Sequence, residues 1–403
     1  MTAPDSKRLL VMAGGTGGHI FPGAAVAKHL QSEGWQIHWL GTSMRMEAQL
    51  VPKLGYKISF IDVAGVRGNG LLRLFAAPFK IIRAIGQARE IMRQFRPDVV
   101  LGMGGFASGP GGIAAWFAGI PLVIHEQNAI VGMTNKILRH FANAMLLGFP
   151  NSLTATQTQP KHAVWVGNPV RPEIANIGAA LKNDAKEHQV IPHKKAINIL
   201  IVGGSLGAKC LNENVPIALA ALLNNEYLMR VQHQCGKGHD ESVNAEYQTR
   251  VGEQLPWRVT EFIDDMVAAY TWADLIICRA GALTVAEVAA AGRSAIFVPL
   301  PHAVDDHQTW NARSLVDEQA AWLLPQSELE QGKLAEKIQQ ILASPHTLSD
   351  TAYQARQLAK IDATKHVAGI CRNLAMGRAE DDLTHTTKVQ KSNVVKTSKK
   401  EGA

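Results

Sequence analysis

Cysteine is scarce in this sequence and follows no ligand pattern. Cys210, Cys235, Cys278 and Cys371 lie far apart and form neither a CxxC pair nor a Cys/His cluster. This usage is typical of a reducing compartment and argues against a structural zinc site. We therefore expect no metal, no cofactor and no disulfide, and a fold that its apolar core stabilises.

Long hydrophobic runs are also missing. No stretch approaches the roughly 18 apolar residues of a membrane span, and no export signal opens the chain. We expect a cytosolic origin and no transmembrane segment. Hydrophobic residues make up 46% and charged residues 19% of the chain, an ordinary globular balance. Because 403 residues exceed the usual size of a single core, two domains are expected.

The net charge of +7 favours anionic partners such as nucleic acid, acidic lipid or a phosphorylated substrate. Part of this charge is local, because five lysines lie between Lys388 and Lys400 among polar residues without periodicity. That composition predicts a disordered basic tail. A non-enzymatic protein that binds acidic lipid or nucleic acid is one interpretation, but it leaves the glycine-rich loops unexplained.

The first of these loops follows an apolar run, Arg8 to Ala13, and precedes a segment with helical spacing. Strand, glycine loop and helix in this order present backbone N–H groups to an anion or a sugar oxygen, here beside Thr16, Gly17 and Gly18. The second strand is not followed by the acidic residue of a dinucleotide site, which disfavours a nicotinamide enzyme. His19, at the mouth of the loop, could be a general base or could only cap the loop.

A second glycine-rich stretch covers residues 102–112, and the next predicted strand, Pro121 to Ile124, ends in His-Glu-Gln-Asn. Polar residues at the carboxyl end of a parallel strand lie where open sheets bind ligands. Asn128 could hold sugar hydroxyls, and Glu126 could act as an acid or a base. The alternative is a loop that only positions the next helix.

Between these stretches, residues 70–94 are apolar over more of a helix than one core-facing stripe needs, and the charges in the first half are all positive. This pattern favours a membrane surface and a buried crossover helix equally. The residues predicted to contact a membrane are Leu72, Phe75, Phe79 and Ile82, with Arg73, Lys80 and Arg83.

The arrangement of strand, glycine loop and helix recurs at Ile197 to Val202, where the loop contains Ser205. The repetition predicts an α/β fold of two similar doubly wound domains that face each other across a cleft. We place the N-terminal domain at residues 1–172 and a linker at 173–196. The second domain spans 197–345, helices that pack back on the first domain span 346–376, and the tail spans 377–403.

A third such unit begins at Leu275 to Cys278. Its helix entry could bind a phosphate beside Ala282, Leu283 and Thr284, because the first N–H groups of a helix lack carbonyl partners. One turn further, Glu287 could accept hydrogen bonds from a ribose. The alternative is an ordinary crossover in which Glu287 is a solvated charge.

Together the motifs GGTGGH, HEQN, GNPVR, GGSLGA, TEFIDDM, RAGALTVAE and PHAVDDHQTWNA resemble, in order and near spacing, the MurG family of bacterial N-acetylglucosaminyltransferases. The resemblance covers Arg8 to about Ala375. It implies a GT-B fold and inverting transfer of N-acetylglucosamine from its UDP donor to lipid I, which gives lipid II with a β-1,4 link. It also implies a peripheral location on the cytoplasmic face of the inner membrane, acidic lipid and other cell-wall synthesis and division proteins as partners, and no nucleic acid.

The resemblance places the site residues by motif. His19 is the implied base, with Glu126 as a further catalytic candidate. The implied donor contacts are Thr16, Gly17, Gly18, Asn128, Arg171, Ser205, Ile263, Ala282, Leu283, Thr284, Val285, Ala286, Glu287, His307 and Gln308. Leu206 departs from the family pattern, which often has glutamine there, and the long loop before Gln308 leaves open whether His307 or Gln308 reaches the sugar.

The chemistry implied by the resemblance fits the residues that are present. The sequence has no DxD motif, so the charge of the departing UDP would be met by helix N-termini, backbone amides and Arg279. It also has no convincing Ser/His/Asp or Cys/His set, which is consistent with a single displacement without a protein nucleophile. A non-hydrolysing nucleotide-sugar epimerase shares the expected architecture and is the enzymatic alternative.

Overall fold

The computed structural model describes residues 6–63, 71–150, 163–183, 196–204, 206–223, 227–301, 304–344 and 346–378, of which 71–77, 181–183 and 304 are described by their backbone alone. Two parallel sheets organise these residues. The predicted disordered tail, apart from its first two residues, lies outside them.

The N-terminal sheet has seven described strands in the order β3-β2-β1-β4-β5-β6-β7, all parallel to their neighbours. The strands are β1 (Arg8–Ala13), β2 (Gln36–Gly41), β3 (Lys57–Phe60), β4 (Val99–Gly104), β5 (Leu122–Glu126), β6 (Ala144–Leu147) and β7 (Ala163–Trp165). The central strands β1, β4 and β5 are buried almost throughout and mostly apolar, because helices cover both faces of the sheet.

Helices connect these strands and bury the two faces in separate cores. They are α1 (Gly17–Ser32), α2 (Glu47–Lys53), α3 (Leu71–Phe95), α4 (Ser108–Phe117) and α5 (Met133–Leu138). α1 packs on one face, where Trp39 is fully buried and donates a hydrogen bond from Nε1 to the carbonyl of Ala13 (2.7 Å). α3 and α4 cover the other face.

The C-terminal sheet repeats this plan with six described strands in the order β10-β9-β8-β11-β12-β13. The strands are β8 (Ile197–Val202), β9 (Met229–Gln234), β10 (Trp257–Thr260), β11 (Leu275–Cys278), β12 (Ser294–Phe297) and β13 (Trp322–Leu323). The four strands that the sequence analysis placed at Arg8–Ala13, Pro121–Ile124, Ile197–Val202 and Leu275–Cys278 are confirmed within two residues, whereas β6, β7 and β13 were not predicted. β13 contains only two residues, too few to show a period.

The remaining helices cover the C-terminal sheet or close the chain. They are α6 (Pro172–Asn183), α7 (Lys209–Ala221), α8 (Asp240–Arg250), α9 (Met266–Trp272), α10 (Ala282–Ala291), α11 (His307–Val316), α12 (Gln326–Glu330), α13 (Lys333–Leu342), α14 (Thr347–Leu358) and α15 (Ala363–Ala375). Short 3₁₀ turns precede β10 and α11.

The predicted linker at 173–196 is wrong in its first half, which forms α6. Ile174 and Ile177 of this helix are buried in the same core as α10. At Gly178 the helices approach so closely that a Cβ atom would collide with the carbonyl of Ala290. This contact needs only two isoleucines and one glycine. Three such residues are too few to produce a helical hydrophobic period in the sequence. α6 therefore belongs structurally to the C-terminal domain.

Only the second of the two predicted returning helices packs on the N-terminal domain. α14 contacts α10, α13 and β12 of the C-terminal domain. α15 packs on α1 and β4, where Val367 and Cys371 join the N-terminal core. Arg372 also donates to the Glu33 carboxylate from Nε (3.1 Å). The chain thus crosses between the domains a second time, shortly before α15.

Candidate active site

Two glycine loops meet at the carboxyl edge of the N-terminal sheet, after β1 and β4. These neighbouring strands have connections that leave in opposite directions, which is where open α/β sheets bind ligands. Gly14 donates to the carbonyl of Gly104 (3.3 Å). Gly104 and Gly105 have φ of +108° and +91°, and a Cβ atom on Gly105 would collide with the backbone of Gly14. Side chains are therefore excluded, and the two loops form one surface.

A buried carboxylate, Glu47 at the start of α2, holds the first loop from behind. Its Oε2 accepts a hydrogen bond from the amide of Gly15 (2.9 Å), and its Oε1 accepts from the amide and the hydroxyl of Thr42 (3.0 and 2.6 Å). Sequence reasoning missed this residue. A single glutamate between a strand and a short helix carries no signal, and its loop partner lies 32 residues away.

His19 lies in the first turn of α1, as expected, and the fold brings it to the HEQN segment. Its Nδ1 is 2.9 Å from Oε1 of Gln127 at the end of β5. The ring also packs on Gly104, where an added Cβ atom would come within 2.9 Å of Nδ1. His19 is half-buried. Thr16 is the exposed N-cap residue of α1 and makes no side-chain capping bond, and the adjacent Gly17 and Gly18 are half-buried.

Glu126 has a different task from the predicted one. It is buried, and donors engage both carboxylate oxygens. Oε1 accepts from the backbone and side chain of Asn128 (3.1 and 3.4 Å), while Oε2 accepts from the amide of Gly132 and Nδ2 of Asn135 (2.9 Å each). A carboxylate with every oxygen occupied shapes the loop and is poorly placed to exchange a proton with a substrate. We correct its assignment from catalytic to structural.

Asn128 lies where a contact between the domains forms. The partner residue is Asn311 in α11, which is fully buried. Its Oδ1 accepts from the amide of Ala129 (2.8 Å), and its Nδ2 donates to Asn128 Oδ1 (3.3 Å) and to the carbonyl of Ala280 (3.1 Å). One asparagine thus fixes the loop after β5 against the turn after β11. Sequence reasoning missed Asn311, although it lies in the PHAVDDHQTWNA motif.

In the C-terminal domain, a buried amide holds the glycine loop after β8. Gln234 accepts from the amide of Gly204 at Oε1 (3.0 Å) and donates from Nε2 to the carbonyls of Gly204 (2.8 Å) and Glu261 (3.1 Å). The predicted donor residue Ser205 lies outside the described residues, whereas the neighbouring Leu206 is 86% exposed. Ile263, predicted to contact the donor, is half-buried beside the α10 core.

The amino terminus of α10 has the geometry predicted for anion binding. Gly281 is the N-cap residue, and the first backbone bond runs from the amide of Val285 to its carbonyl (2.9 Å). The N–H groups of Ala282, Leu283 and Thr284 therefore precede the helical ladder. Ala282 and Val285 are buried in the core, so any contact they make with a ligand would use the backbone. Ala286 is half-buried.

Glu287 is buried rather than solvated, which excludes the alternative of a surface charge. Its Oε1 accepts from Nε and Nη2 of Arg171 (3.0 and 2.9 Å), and its Oε2 accepts from the hydroxyl of Tyr270 (3.3 Å). Burial raises the pKa of Glu287, and Arg171 opposes this shift. Arg171 and Glu287, both predicted to bind the donor, therefore form an ion pair with each other. A ribose could bind Glu287 only beside Arg171 or in its place.

Two residues of the C-terminal domain hold the segment after β12. Arg279, expected near the leaving group, instead donates from Nη1 to the carbonyls of Val298 and Pro299 and from Nη2 to Gln326 (2.8 Å), so we correct its assignment to a structural one. Gln308 accepts from the amide of Leu300 at Oε1 (3.0 Å). His307 is the half-buried first residue of α11.

The helix predicted to contact a membrane, α3, is partly core and partly surface. Ala84, Ala88 and Met92 are buried at helical spacing. Phe79 and Ile82 are 77% and 66% exposed, so the alternative of a wholly buried helix fails for them. Lys80 is exposed, and Arg83 forms a surface ion pair with Asp62 (3.2 Å). The side chains of Leu72, Arg73 and Phe75 lie outside the described residues.

Comparison with known proteins gives two family matches and several full-length relatives. The models for the glycosyltransferase family 28 N-terminal and C-terminal domains match residues 9–147 and 198–367. A UDP-N-acetylglucosamine–N-acetylmuramyl-(pentapeptide) pyrophosphoryl-undecaprenol N-acetylglucosamine transferase from Pseudoalteromonas atlantica is 57% identical over 91% of this chain and 95% of its own length.

Solved structures agree with this result. MurG from Acinetobacter baumannii is 44% identical, with a TM-score of 0.76 over 91% of this chain and 99% of that one. A UDP-GlcNAc 2-epimerase from Neisseria meningitidis has a TM-score of 0.60 over 90% and 98% of the two chains, but at 14% identity it shows a likeness of fold alone.

Proposed function

The chain belongs to glycosyltransferase family 28, and we propose that it transfers N-acetylglucosamine from UDP-N-acetylglucosamine to lipid I. Lipid I is undecaprenyl-pyrophosphoryl-N-acetylmuramyl-pentapeptide, and the product is lipid II with a β-1,4 linkage. The observation that carries this proposal is identity of 57% and 54%, over more than nine-tenths of the chain, to two transferases named for this donor and acceptor.

The UDP-sugar binds to the C-terminal domain in this proposal. Support comes from the free N–H groups at the start of α10, which suit a diphosphate, and from the buried Glu287 carboxylate one turn beyond. Hydrogen bonds from ribose hydroxyls would replace part of the bonding that Glu287 receives from Arg171 and Tyr270. The released guanidinium of Arg171 would then be available to an oxygen of the donor.

The sugar acceptor approaches the N-terminal domain. Its hydroxyl attacks the anomeric carbon of N-acetylglucosamine on the face opposite UDP, which accounts for the inversion. His19 takes the hydroxyl proton, and the helix entry of α10 stabilises the charge that develops on departing UDP. The hydrogen bonds of Asn311 join the loop after β5 to the turn after β11, and so connect the two parts of the proposed site.

The lipid acceptor requires contact with a bilayer, and no helix in the described part of the chain combines the length and apolarity that a membrane crossing requires. We assign the contact to the surface of α3 and its neighbours on the cytoplasmic leaflet. Phe79 and Ile82 on α3 are exposed, as are Trp116 and Phe117 on the adjacent α4 and Ile137 on α5. Apolar side chains of this kind enter the interface, where Lys80 and Arg83 would meet acidic headgroups.

The proposal is tested by incubating the full chain with UDP-N-acetylglucosamine and a short-chain lipid I analogue, and detecting the product by mass. We expect one added N-acetylglucosamine per acceptor and release of UDP. Donor without acceptor is the control for the epimerase alternative. Epimerised sugar in that control, without glycosylated product in the complete mixture, would overturn the proposal.

A further inference from the structure

A chain of hydrogen bonds leads from the domain junction to His19 through two buried side chains. The carbonyl of Gly167 lies 2.9 Å from Nε2 of His125, Nδ1 of His125 lies 3.2 Å from Nε2 of Gln127, and Oε1 of Gln127 lies 2.9 Å from Nδ1 of His19. His125 and Gln127 are both buried. The motif HEQN therefore contains two residues that the mechanism above does not use.

The donor and the acceptor of each hydrogen bond in this chain can be assigned by starting from the buried Gly167 carbonyl. A carbonyl oxygen can only accept, so Nε2 of His125 carries a proton and donates to Gly167. Burial lowers the pKa of His125 to about 4, which keeps the ring neutral near pH 7. A neutral imidazole has one N–H only. Nδ1 of His125 is therefore a bare acceptor.

This acceptor fixes the amide of Gln127. Nε2 of Gln127 donates to Nδ1 of His125 and also lies 3.3 Å from the carbonyl oxygen of His125. Turning the amide over would place its oxygen against two acceptors, so only one orientation is satisfied. Asn168 holds the backbone of the same residue by donating to the Gln127 carbonyl (3.0 Å). Oε1 of Gln127 is thereby directed at His19.

The last bond determines which nitrogen of His19 is protonated. An amide oxygen only accepts, so Nδ1 of His19 carries the proton and Nε2 has the free lone pair. Within the described residues, no hydrogen bond or ion pair involves Nε2 of His19. The ring occupies the space beside Gly104 that a Cβ atom would need.

We propose that His125 and Gln127 are positioning residues that hold His19 as the Nδ1–H tautomer and so make Nε2 the base of the reaction. This inference rests on the proposed glycosyl transfer. The acceptor oxygen forms a bond to the anomeric carbon, the bond from that carbon to the UDP oxygen breaks, and UDP leaves with the electron pair. The acceptor proton moves to Nε2, and Nδ1–H continues to donate to Gln127 until solvent removes the added proton.

The first test needs no substrate. Two-dimensional ¹H–¹⁵N NMR of protein labelled with ¹⁵N-histidine distinguishes the tautomers of a neutral ring, and a His19→Gln sample identifies the His19 signals among the 15 histidines. We expect a protonated Nδ1 and a bare Nε2 in His19 of the unmodified chain, and the reverse in His125. A His19 ring protonated at Nε2 would overturn the proposal, even if the protein transfers the sugar normally.

The second test is a double-mutant cycle between Gln127→Glu and His125→Phe. With Gln127 present, His125→Phe frees the amide to turn over, and we expect kcat to fall about tenfold with little change in donor KM. A carboxylate presents an oxygen to His19 whichever way it turns, and its second oxygen would face the bare nitrogen of His125. In the Gln127→Glu background, His125→Phe is therefore expected to have no cost or to raise kcat.

A merely structural role for His125 predicts an equal loss in both backgrounds, and that outcome would contradict the proposal. Gln127→Leu provides a further variant if His125→Phe does not fold. It removes the acceptor for Nδ1–H, and the His19 signals should then show the other tautomer in part. If the unmodified protein does not transfer the sugar, the proposed function is wrong. The tautomer measurement, by contrast, tests only the hydrogen-bond chain.

Discussion

The glycine loops of the two domains have the same sequence pattern but different supports. Each follows the first strand of its sheet and precedes a helix. In the N-terminal domain the support is the carboxylate of Glu47, which accepts three hydrogen bonds. In the C-terminal domain it is the amide of Gln234, which accepts one bond and donates two.

The two supporting side chains, Glu47 and Gln234, differ mainly in charge. A carboxylate behind a loop disfavours a second anion there, because like charges repel and a partly buried site screens the repulsion less than water does. A neutral amide has no such effect. One buried side chain can therefore give two similar loops different preferences. We expect the N-terminal loop to favour neutral sugar hydroxyls, and the C-terminal loop, with the start of α10, to favour a diphosphate.

Among the described residues, each domain buries one histidine, His125 in the first and His233 in the second, so we expect both domains to lose stability in acid. Burial lowers their pKa values to about 4 and about 3. In the unfolded chain a histidine has a pKa of about 6.5. The free energy of unfolding that the two neutral rings contribute is therefore fully present above pH 6.5, and it is lost as the pH falls from there to the folded-state pKa values. We expect His125 alone to account for about 3 kcal/mol of loss between pH 6.5 and 4, measured by urea unfolding. His233→Gln should make the decline shallower, and an unchanged slope would contradict this.

His19→Ala tests whether the chemistry belongs to the N-terminal half. We expect turnover to fall by roughly 10²-fold or more because the proposed base is lost, while UDP affinity, which we assign to the other domain, is retained. Steady-state kinetics and a UDP titration separate the two effects. A rate within a few-fold of wild type would leave substrate-assisted chemistry as the better explanation.

Exchanging the two supports tests the electrostatic difference directly. Glu47→Gln and Gln234→Glu each leave a buried hydrogen-bonding group without a suitable partner, so each should reduce the free energy of unfolding by about 1–3 kcal/mol. Only Gln234→Glu adds a carboxylate behind the C-terminal loop, and only this variant should also weaken UDP binding. Equal losses of UDP affinity in both variants would show that loop geometry, and not charge, governs the site.

Glu287→Ala tests donor binding, as His19→Ala tests the chemical step. The loss of hydrogen bonds to a charged group should weaken UDP-sugar binding by about 1–3 kcal/mol, measured by calorimetry. Tyr270→Phe is a matched control, because it removes the hydroxyl that bonds Glu287 Oε2 but keeps the ion pair with Arg171. Unchanged affinity in Glu287→Ala would refute the ribose role.

The smallest effect is expected for the exposed apolar residues of α3, which we propose as a membrane-facing surface of the N-terminal domain. Phe79→Ser with Ile82→Ser should reduce binding to anionic vesicles by about tenfold, because two apolar side chains no longer enter the interface. Leu228→Ser, at a 62% exposed leucine of the C-terminal domain, is the matched control and should have no effect. Equal losses in the two variants, measured by vesicle sedimentation, would rule out a membrane-facing α3.

The sequence was informative where local patterns are strong. Apolar runs that end in glycine loops gave the strands at Arg8–Ala13, Ile197–Val202 and Leu275–Cys278, and their repetition gave two similar α/β domains. Glycine and helix-start patterns arise within a few residues, so local reading is enough. The same reading failed for residues 173–183, where two buried isoleucines and a glycine pack a helix closely against α10.

The composition and order of motifs by themselves determined the fold class, the family resemblance and the position of His19. Only the tertiary structure decided which polar side chains support the site and which act in it. Glu126 has its oxygens filled by a loop, Arg279 holds carbonyls, and Glu287 is paired with a residue 116 positions away. The pairing of Arg171 with Glu287 depends on how the chain crosses between its sheets, and no local pattern in the sequence encodes it.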